Sequence, residues 1–378
     1  MTPLGIVGAS ARAAAMSAVR AGFSPWAIDL FADRDLCSLA YTMRCPMADY
    51  PAALPRLVDE MPPGPVMYTG GLENHPDVVR EIAARRELWG TFPNALRYVR
   101  DARFLSVRSP ESPNVTALSV QVDDTPCPRS GRWLRKRMRS AGGMGIRFAE
   151  PGEPASDTHY FQQFADGIPM SMLFVGTIRG AYQWLGMTEQ LVGEPWLHAA
   201  PFAYCGNITT DDLREDVKQG LLSYAGRLGE EAGRLRGVWG LDFIFDYTTA
   251  YPVEVNPRYT ASVEVLELAT RFPILNVHAA EFRKDVAPAP LGLPDLPFVG
   301  KAIYYAPHAF TFPAGPWDDE LLRPFDPWRV PDFADIPDAG SAIEGGQPVL
   351  SFFATADTPA AVRAALQSRA AELDELFS

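Results

Sequence analysis

The chain has 378 residues, of which 47% are hydrophobic and 21% charged, and its formal net charge is −12. This length predicts two or three domains of about 100–200 residues each, and the ordinary globular composition excludes extensive disorder. The acidic balance argues against nucleic acid as a partner, because proteins that bind phosphate backbones are basic at least locally. The apolar runs are far shorter than the ~20 residues of a membrane span. The first residues show neither a basic segment nor a long apolar one, so we expect a cytoplasmic protein that does not act at a membrane.

The cysteines and histidines do not suggest a metal centre or thiol chemistry. The four cysteines are scattered, without a CxxC pair, and the five histidines form no HExxH or comparable cluster. A zinc site is therefore not expected.

Strands and helices alternate over the first 84 residues. The predicted strands are 4–7, 23–30 and 65–68, and the predicted helices are 11–21 and 76–84. Such alternation is typical of a parallel sheet with crossover helices. Gly8 followed by Asp29 resembles part of a dinucleotide-binding fingerprint, but the G-x-G-x-x-G pattern is missing. We therefore expect a Rossmann-like supporting domain without a nicotinamide cofactor.

The sequence after residue 84 predicts a mixture of strands and helices. An irregular segment covers 108–131, and a proline-rich linker covers 287–297. Strands are predicted at 133–137, 160–164, 171–177, 183–185, 298–305 and 348–354, a hairpin at 240–256, and helices at 211–235, 262–270 and 358–376.

A lysine and three glycines suggest a phosphate-binding loop. Lys136 lies on a predicted strand, and Gly142, Gly143 and Gly145 lie in the loop that follows. Glycines let backbone N–H groups approach phosphates closely, and a nearby ammonium neutralises their charge. The lysine precedes the glycines, so this is not a Walker A loop. Taken alone, the segment is better explained as a surface loop beside a charged edge strand.

Two carboxylates and an amide are predicted to converge on the hairpin. Glu254, Asn256 and Arg258 alternate along one strand and so share a face, and Asp242 comes from the preceding strand. Oxygen ligands of this kind suit Mg²⁺, and the arginine is placed to stabilise charge in a phosphoryl transfer. The alternative, an exposed hairpin with solvated acids, does not explain the apolar residues that flank these positions.

The segment YFQQFADGIPMS predicts a strand, a turn and a second strand. A connection of this kind can hold a flat base between apolar side chains while backbone groups contact its edge. Taken alone, this segment is a weak indication of a base-binding site, because most such segments are plain sheet.

Taken in order, these three segments resemble the ATP-grasp superfamily, which includes biotin carboxylase, D-alanine–D-alanine ligase and glutathione synthetase. The segments GASARAAAMSAVRAG, YTGGLENHP, SAGGMGIRF, GLDFIFD and VEVNPRYTASVE resemble, more narrowly, a group of ATP-dependent carboligases. Some members of that group accompany tetrahydromethanopterin- and methanofuran-type one-carbon pathways. The resemblance implies an α/β, ATP-grasp fold with a Rossmann-like domain at 1–95, the ATP-grasp domain at 96–285 and a small α+β lobe at 286–378.

The resemblance also implies a role for each motif residue, with ATP and Mg²⁺ as cofactors and Mn²⁺ as an alternative metal. It implies phosphate contacts from Lys136, Ser140, Gly142, Gly143 and Gly145, adenine contacts from Gln162, Gln163 and Phe164, metal ligation by Asp242, Glu254 and Asn256, and catalytic roles for Lys136 and Arg258. One departure concerns a second phosphate lysine that many ATP-grasp enzymes carry. The matching stretch, Arg100 to Arg103, has no lysine, and either arginine is a candidate substitute.

The implied reaction is the two-step joining of a carboxylate and an amine through an acyl phosphate. By analogy with tyramine–glutamate ligase, the specific expectation is addition of glutamate or a similar amino acid in the biosynthesis of a methanofuran-like cofactor. A carboxylase or small-molecule kinase using the same site is the alternative, and a non-catalytic nucleotide-binding subunit is a third. The intact metal ligands argue against the third. The sequence does not specify the oligomeric state, and a homodimer is the commonest closed assembly.

Three further segments are candidates for lining the substrate cleft. Glu73 and Asn74 follow a predicted parallel strand, and ligands of such sheets lie at the carboxyl ends of the strands. The segments 188–190 and 204–207 are predicted either as pocket walls or as ordinary loops.

Overall fold

Residues 2–68 contain a parallel four-stranded sheet. Its strand Thr2–Val7 is largely buried and pairs with Phe23–Asp29 on one side and with Val66–Tyr68 on the other. The structure is a computed structural model that describes residues 2–106, 112–177, 182–231, 235–283 and 297–377. The sheet has the order β3-β2-β1-β4. Its elements and the helices that follow are β1 (Thr2–Val7), α1 (Arg12–Arg20), β2 (Phe23–Asp29), α2 (Arg34–Leu39), β3 (Tyr41–Arg44), α3 (Leu54–Leu57), β4 (Val66–Tyr68), α4 (Pro76–Ala83) and α5 (Pro93–Val99).

Two residues fix the turns around α1. Gly22 has φ +81°, and its N–H donates to the Val19 carbonyl at 2.9 Å, so the helix ends where the sequence predicts. The Asp29 carboxylate accepts hydrogen bonds from the N–H groups of Ala11 at 2.6 Å and of Phe31 and Ala32 at 2.7 Å. Asp29 is buried and therefore braces the loops at the carboxyl ends of β1 and β2.

A small antiparallel sheet follows, with the order β5-β8-β6-β7. Its strands are β5 (Val120–Gln121), β6 (Trp133–Arg137), β7 (Arg147–Phe148) and β8 (His159–Gln163). The glycine-containing loop connects β6 to β7, at one edge of this sheet.

The largest sheet has eight strands in the order β13-β12-β9-β10-β11-β14-β18-β16. The strands are β9 (Ile168–Gly176), β10 (Tyr182–Val192), β11 (Tyr204–Thr209), β12 (Gly237–Phe245), β13 (Ala250–Asn256), β14 (Phe298–Tyr305), β16 (Phe333–Ala334) and β18 (Pro348–Ala356), and β15 (Phe310–Thr311) pairs separately with β17 (Ala342–Ile343). The helices are α6 (Glu215–Glu231), α7 (Ser262–Thr270), α8 (Ile274–Ala280), α9 (Trp317–Leu322) and α10 (Pro359–Leu376). Because β14 pairs with β11, the strands on the two sides of the predicted boundary at 285 belong to one sheet.

Several elements differ from the sequence prediction. The strand predicted at 183–185 is the eleven-residue β10, which contains 188–190, and 204–207 lie in β11, so neither segment is a loop. The predicted strand stops before Gly186, where the structure has a shift of register in β10 and a φ of +147°. This irregularity interrupts the residue alternation that predicts a strand. The elements α2, β3, α5 and α8 were not predicted. The predicted linker at 287–297 lies outside the described residues, except for Pro297.

The hydrophobic core joins the sheets into one body. Residues of β1 and α1 pack with residues of α7, α8 and the adjoining face of β9 in one cluster, while α6 covers the other face of the β9–β12 region. Helix α10 closes the C-terminal strands. The architecture confirms the predicted α/β class. Within the described ranges, no helix combines the length and apolar character that crossing a membrane requires.

Candidate functional site

The β12–β13 hairpin brings the predicted metal ligands together. Asp242 lies opposite Glu254 in the antiparallel register, so both side chains occupy one face of the sheet. The Asn256 Nδ2 donates to Asp242 Oδ2 at 2.8 Å. Across the described ranges, no group of three or more His, Cys, Asp or Glu side chains has a geometry that could hold a metal ion. The candidate set therefore consists of two carboxylates and one amide.

Arg258 follows β13 and also belongs to this group. The strand ends at Asn256, so the predicted alternation does not continue to Arg258. Its Nη2 nevertheless donates to Asn256 Oδ1 at 3.2 Å, and its Nε donates to Glu73 Oε1 at 2.8 Å. Glu73 thus lies next to the candidate site residues, in agreement with the expectation from its place after β4.

The two carboxylates differ in their electrostatic environment. Burial and the nearby charge of Glu254 raise the pKa of Asp242 to about 6, against hydrogen bonds from Ser171 and Gln190. Burial would also raise the pKa of Glu254, but the charges of Arg100 and Lys136 outweigh it and the pKa is lowered. The cationic neighbours of Glu254 therefore favour its ionised form, whereas burial makes Asp242 easier to protonate than an ordinary aspartate.

Lys136 and Gln162 connect the small sheet to this hairpin. Lys136 Nζ donates to Gln162 Oε1 at 3.0 Å, and Gln162 Nε2 lies 3.5 Å from the Val253 carbonyl oxygen. Gln162 is buried. The small sheet thus faces the large sheet across the candidate metal ligands, with the lysine pointing to the same region as Glu254.

The N–H groups at the predicted adenine hinge already have partners in the structure. The N–H of Gln163 donates to the Ser119 carbonyl and that of Phe164 to the Arg132 carbonyl, both at 2.9 Å. These two N–H groups are therefore not free to contact a base. The adenine role of Gln162, Gln163 and Phe164 stays a prediction.

Three phenylalanines form an aromatic cluster that the sequence analysis did not identify. The ring of Phe148 lies 5.0 Å from that of Phe164 and 5.4 Å from that of Phe202, and the Arg132 guanidinium lies 4.4 Å from the Phe164 ring. Phe148 is exposed. These residues come from separated segments, so no local pattern in the sequence predicts the cluster.

The glycine loop packs against the segment before β11. The Gly142 carbonyl accepts the N–H of Tyr204 at 3.0 Å. Gly143 has φ +73°, and a Cβ there would lie 1.8 Å from the Phe202 carbonyl oxygen, so only glycine fits. Gly145 also has positive φ. The Ser140 carbonyl accepts a hydrogen bond from Asn74 Nδ2 at 3.0 Å, which ties the loop to the N-terminal sheet.

The two arginines proposed to substitute for the missing lysine occupy different places. Arg100 is largely buried and donates to the Glu254 carboxylate. Arg103 is exposed and pairs with Asp101 and Asp123. The structure therefore brings Arg100 to the candidate metal ligands and does not bring Arg103 there.

Comparison with known proteins identifies the domain that contains this site. Residues 104–262 match the model of the ATP-grasp domain family. No curated protein sequence matches the chain. Among solved structures, N5-carboxyaminoimidazole ribonucleotide synthetase from Thermus thermophilus has a TM-score of 0.64 at 16% identity, covering 96% of this chain and 96% of its own.

Two further solved structures show the same fold. L-amino acid ligase from Bacillus licheniformis has a TM-score of 0.63 at 14% identity, covering 99% of this chain and 97% of its own. The biotin carboxylase domain of 2-oxoglutarate carboxylase from Hydrogenobacter thermophilus has a TM-score of 0.63 at 13% identity, covering 94% and 86%. The predicted ATP-grasp fold is confirmed, and residues 104–262 match the ATP-grasp domain family.

Proposed function

We propose that this chain is an ATP-dependent ligase that joins a carboxylate to an amine through an acyl phosphate. The observation that carries the proposal is the group formed by Asp242, Glu254 and Asn256, which faces Lys136 from the opposite sheet. Carboxylates beside a lysine, at the junction of two sheets with the ATP-grasp fold, suit the binding of a nucleotide and a divalent cation.

The donor set fits Mg²⁺. It offers carboxylate and amide oxygens from adjacent strands. Burial and the charge of Glu254 raise the pKa of Asp242 to about 6, so a bound cation would stabilise the ionised form of this carboxylate. Mn²⁺ favours the same oxygen ligands. When bound, the cation neutralises phosphate charge, and Asp242, Glu254 and Asn256 would hold it.

The small sheet and its loop would hold the nucleotide. Lys136 lies beside Glu254 and is placed to contact the phosphates, and the loop with Ser140, Gly142, Gly143 and Gly145 would cover them and exclude water. The aromatic cluster of Phe148, Phe164 and Phe202 offers an apolar surface for the base.

Arg258 would stabilise the acyl phosphate. Its guanidinium is held by Glu73 on one side and Asn256 on the other, so it is oriented before a substrate binds. In the proposed reaction, the substrate carboxylate attacks the γ-phosphate and ADP leaves. The substrate ammonium group first loses one proton to solvent. The neutral amine then attacks the acyl carbon, phosphate leaves with the electrons of the C–O bond, and the nitrogen releases one further proton to solvent.

The solved structures support this class of reaction without choosing the substrates. One similar structure is named an L-amino acid ligase, and the similar biotin carboxylase domain was solved as a dimer with MgADP, ADP and bicarbonate. A carboxylase is therefore the second candidate, with bicarbonate as the acid. Addition of glutamate in the biosynthesis of a methanofuran-like cofactor, and a homodimeric assembly, are the finer parts of the proposal. They rest on the sequence resemblance and on the frequency of dimers.

Hydroxylamine tests the proposal, because it traps an acyl phosphate whatever the natural amine is. Purified protein, MgATP and hydroxylamine would be incubated with a panel of amino acids and small carboxylic acids, and hydroxamates would be read by mass spectrometry. The ligase is supported if the wild type and Arg103→Gln form a hydroxamate and Glu254→Gln does not. ATP hydrolysis that depends on bicarbonate, with no hydroxamate from any acid, would favour the carboxylase instead.

A further inference from the structure

A cavity of about 250 Å³ lies beside the candidate site, between the N-terminal helices and the end of β6. A cavity of this volume has room for a molecule the size of an amino acid. The residues of its wall are Glu73, Asn74, Pro76, Leu96, Arg97, Arg100, Asp101, Ala102, Arg103, Val122, Asp123, Met138 and Arg139.

Glu73 lines the cavity, and one of its carboxylate oxygens lacks a hydrogen-bond partner among the described residues. Its side chain is 1% exposed. Oε1 accepts the hydrogen bond from Arg258, but Oε2 has no hydrogen-bond partner in the described part of the chain. A buried carboxylate oxygen without a donor is costly, and an ammonium group would supply both the donor and the opposite charge.

Most of the other charges of the wall are already paired. Arg97 pairs with Asp77 at 2.6 Å, while Arg100 contacts Glu254 and Arg103 pairs with Asp101. Arg139 is the exception. It is exposed and has no ion pair or hydrogen bond of its side chain among the residues described.

The free charge of Arg139 acts on its surroundings. Together with burial, which is the larger cause, it lowers the pKa of the neighbouring His75. Glu73 thus carries one buried anionic oxygen without a hydrogen-bond partner, and Arg139 carries an exposed guanidinium without an ion pair, within the described part of the chain.

We infer that this cavity binds the amine substrate, and that this amine carries an anionic group, as an amino acid does. The ammonium group would donate to Glu73 Oε2, and the anionic group would face Arg139. This inference rests on the proposed ligase function and deepens it. Glu73 also holds Arg258, so an amine bound there lies next to the residue assigned to the acyl phosphate.

Competition between amines tests the inference. The enzyme would receive MgATP, the acid that gives the strongest hydroxamate signal, a fixed amount of hydroxylamine, and either a standard amino acid or its α-carboxamide. The measured quantity is the ratio of amide to hydroxamate, which does not depend on the overall activity of a variant. We expect amino acids to compete better than their carboxamides in the wild type.

Variants then locate the site. In Arg139→Gln, the preference for an amino acid over its carboxamide should fall about tenfold, as expected for the loss of one charge-assisted hydrogen bond. Arg137→Gln is the matched control, because Arg137 is exposed on the same segment but does not line the cavity. In Glu73→Gln, the ratio should fall for amino acids and carboxamides alike, since both present an ammonium group.

The outcomes separate the two proposals. If no acid gives a hydroxamate with the wild type, the ligase function fails and the inference fails with it. If hydroxamates form but the wild type shows no preference for amino acids, or Arg139→Gln and Arg137→Gln behave alike, only the amine site is overturned.

Discussion

Arg100 Nη1 donates a hydrogen bond to Glu254 Oε1, although the two residues are 154 positions apart along the chain. The same guanidinium donates to Asn74 Oδ1 at 3.1 Å, and it lies 3.4 Å from the Ser140 carbonyl oxygen. One side chain thus connects the N-terminal sheet, the glycine loop and the face of the hairpin that carries the proposed metal ligands. In the proposed function, this cation would lie where the phosphates of a nucleotide meet those ligands.

Arg100 is therefore expected to contribute to nucleotide binding. Arg100→Ala should weaken binding of MgATP about tenfold or more, because a buried cation beside the phosphates is lost. Arg100→Lys should retain part of the affinity, since the charge remains while the forked geometry is lost. Titration calorimetry measures both. Arg103→Ala is the control, and equal losses for Arg100→Ala and Arg103→Ala would contradict the assignment.

Binding of Mg²⁺ should depend on the protonation of Asp242. A metal ligand must be deprotonated, and the pKa of Asp242 is raised to about 6 by burial and by Glu254. The affinity for Mg²⁺ should therefore be full above pH 7 and fall as the pH drops through 6. Titration of the protein with Mg²⁺ between pH 5 and pH 8 measures this. An affinity that stays constant over that range would remove Asp242 from the metal ligands.

The same pKa predicts a stability change in the absence of metal. A carboxyl group whose pKa is raised by folding stabilises the protein below its ordinary pKa, and this stabilisation is lost as the pH rises through the raised value. Asp242→Asn should therefore increase the free energy of unfolding at pH 8 by about 1–3 kcal/mol and change it little at pH 4. Urea unfolding at both pH values, with EDTA present, measures the difference. A destabilised variant at pH 8 would show that the charged carboxylate is favourable there.

The glycine loop offers a matched pair of substitutions. Gly142 and Gly143 both have positive φ, but a Cβ at Gly142 would meet nothing within 4 Å, whereas one at Gly143 would clash with the Phe202 carbonyl. Gly143→Ala should therefore displace the loop from β11 and lower ATP affinity several-fold more than Gly142→Ala, which adds only backbone strain of about 1 kcal/mol. Nucleotide titration of the two variants decides. Equal effects would mean that the packing of the loop on Phe202 is unimportant.

A buried ionic network joins the N-terminal helix α1 to the rest of the chain. Glu264 on α7 accepts hydrogen bonds from Arg12 Nη2 at 2.9 Å and from Lys301 Nζ at 3.1 Å. Arg12 and Glu264 are almost fully buried. Although burial opposes it, the charges of Arg12 and Lys301 lower the pKa of Glu264 to about 2.

Removal of the Glu264 charge should strongly destabilise the fold. Glu264→Gln leaves two buried cations with less compensation and should lower the free energy of unfolding by about 3–5 kcal/mol at pH 7. Because the pKa of Glu264 is depressed, the contribution is present above the ordinary carboxyl pKa and lost as the pH falls towards 2. Glu60→Gln, which breaks an exposed pair with Arg56, is the control and should cost at most about 0.5 kcal/mol. Similar losses in the two variants would refute the importance of the network.

Local sequence patterns predict those helices and strands whose boundaries are set by residues within the element or next to it. The end of the first helix follows from Gly22, whose positive φ is a conformation that glycine favours, and β12–β13 follows from alternating apolar and polar residues. Asp242, Glu254 and Asn256 could be grouped because one hairpin holds all three. The short helix Arg34–Leu39 shows no comparable apolar period, and it was not predicted.

Contacts between distant segments could not be predicted in this way. Nothing near Arg100 in the sequence indicates that it reaches Glu254, and the approach of Phe202 to Gly143 requires the packing of two sheets. The pairing of β11 with β14 is also non-local. For this reason the sequence does not indicate that strands of the predicted C-terminal lobe extend the central sheet through β14.

The pairing of β11 with β14 has a consequence for synthesis of the chain. Until Phe298–Tyr305 has left the ribosome, β11 is an edge strand whose N–H and C=O groups on one side have no partner. An exposed strand edge of this kind pairs readily with other chains, so a fragment that stops before residue 298 should aggregate even though it contains every proposed nucleotide and metal ligand. Residues 298–378 thus protect the newly synthesised ATP-grasp domain from aggregation, because β14 covers the open edge of β11.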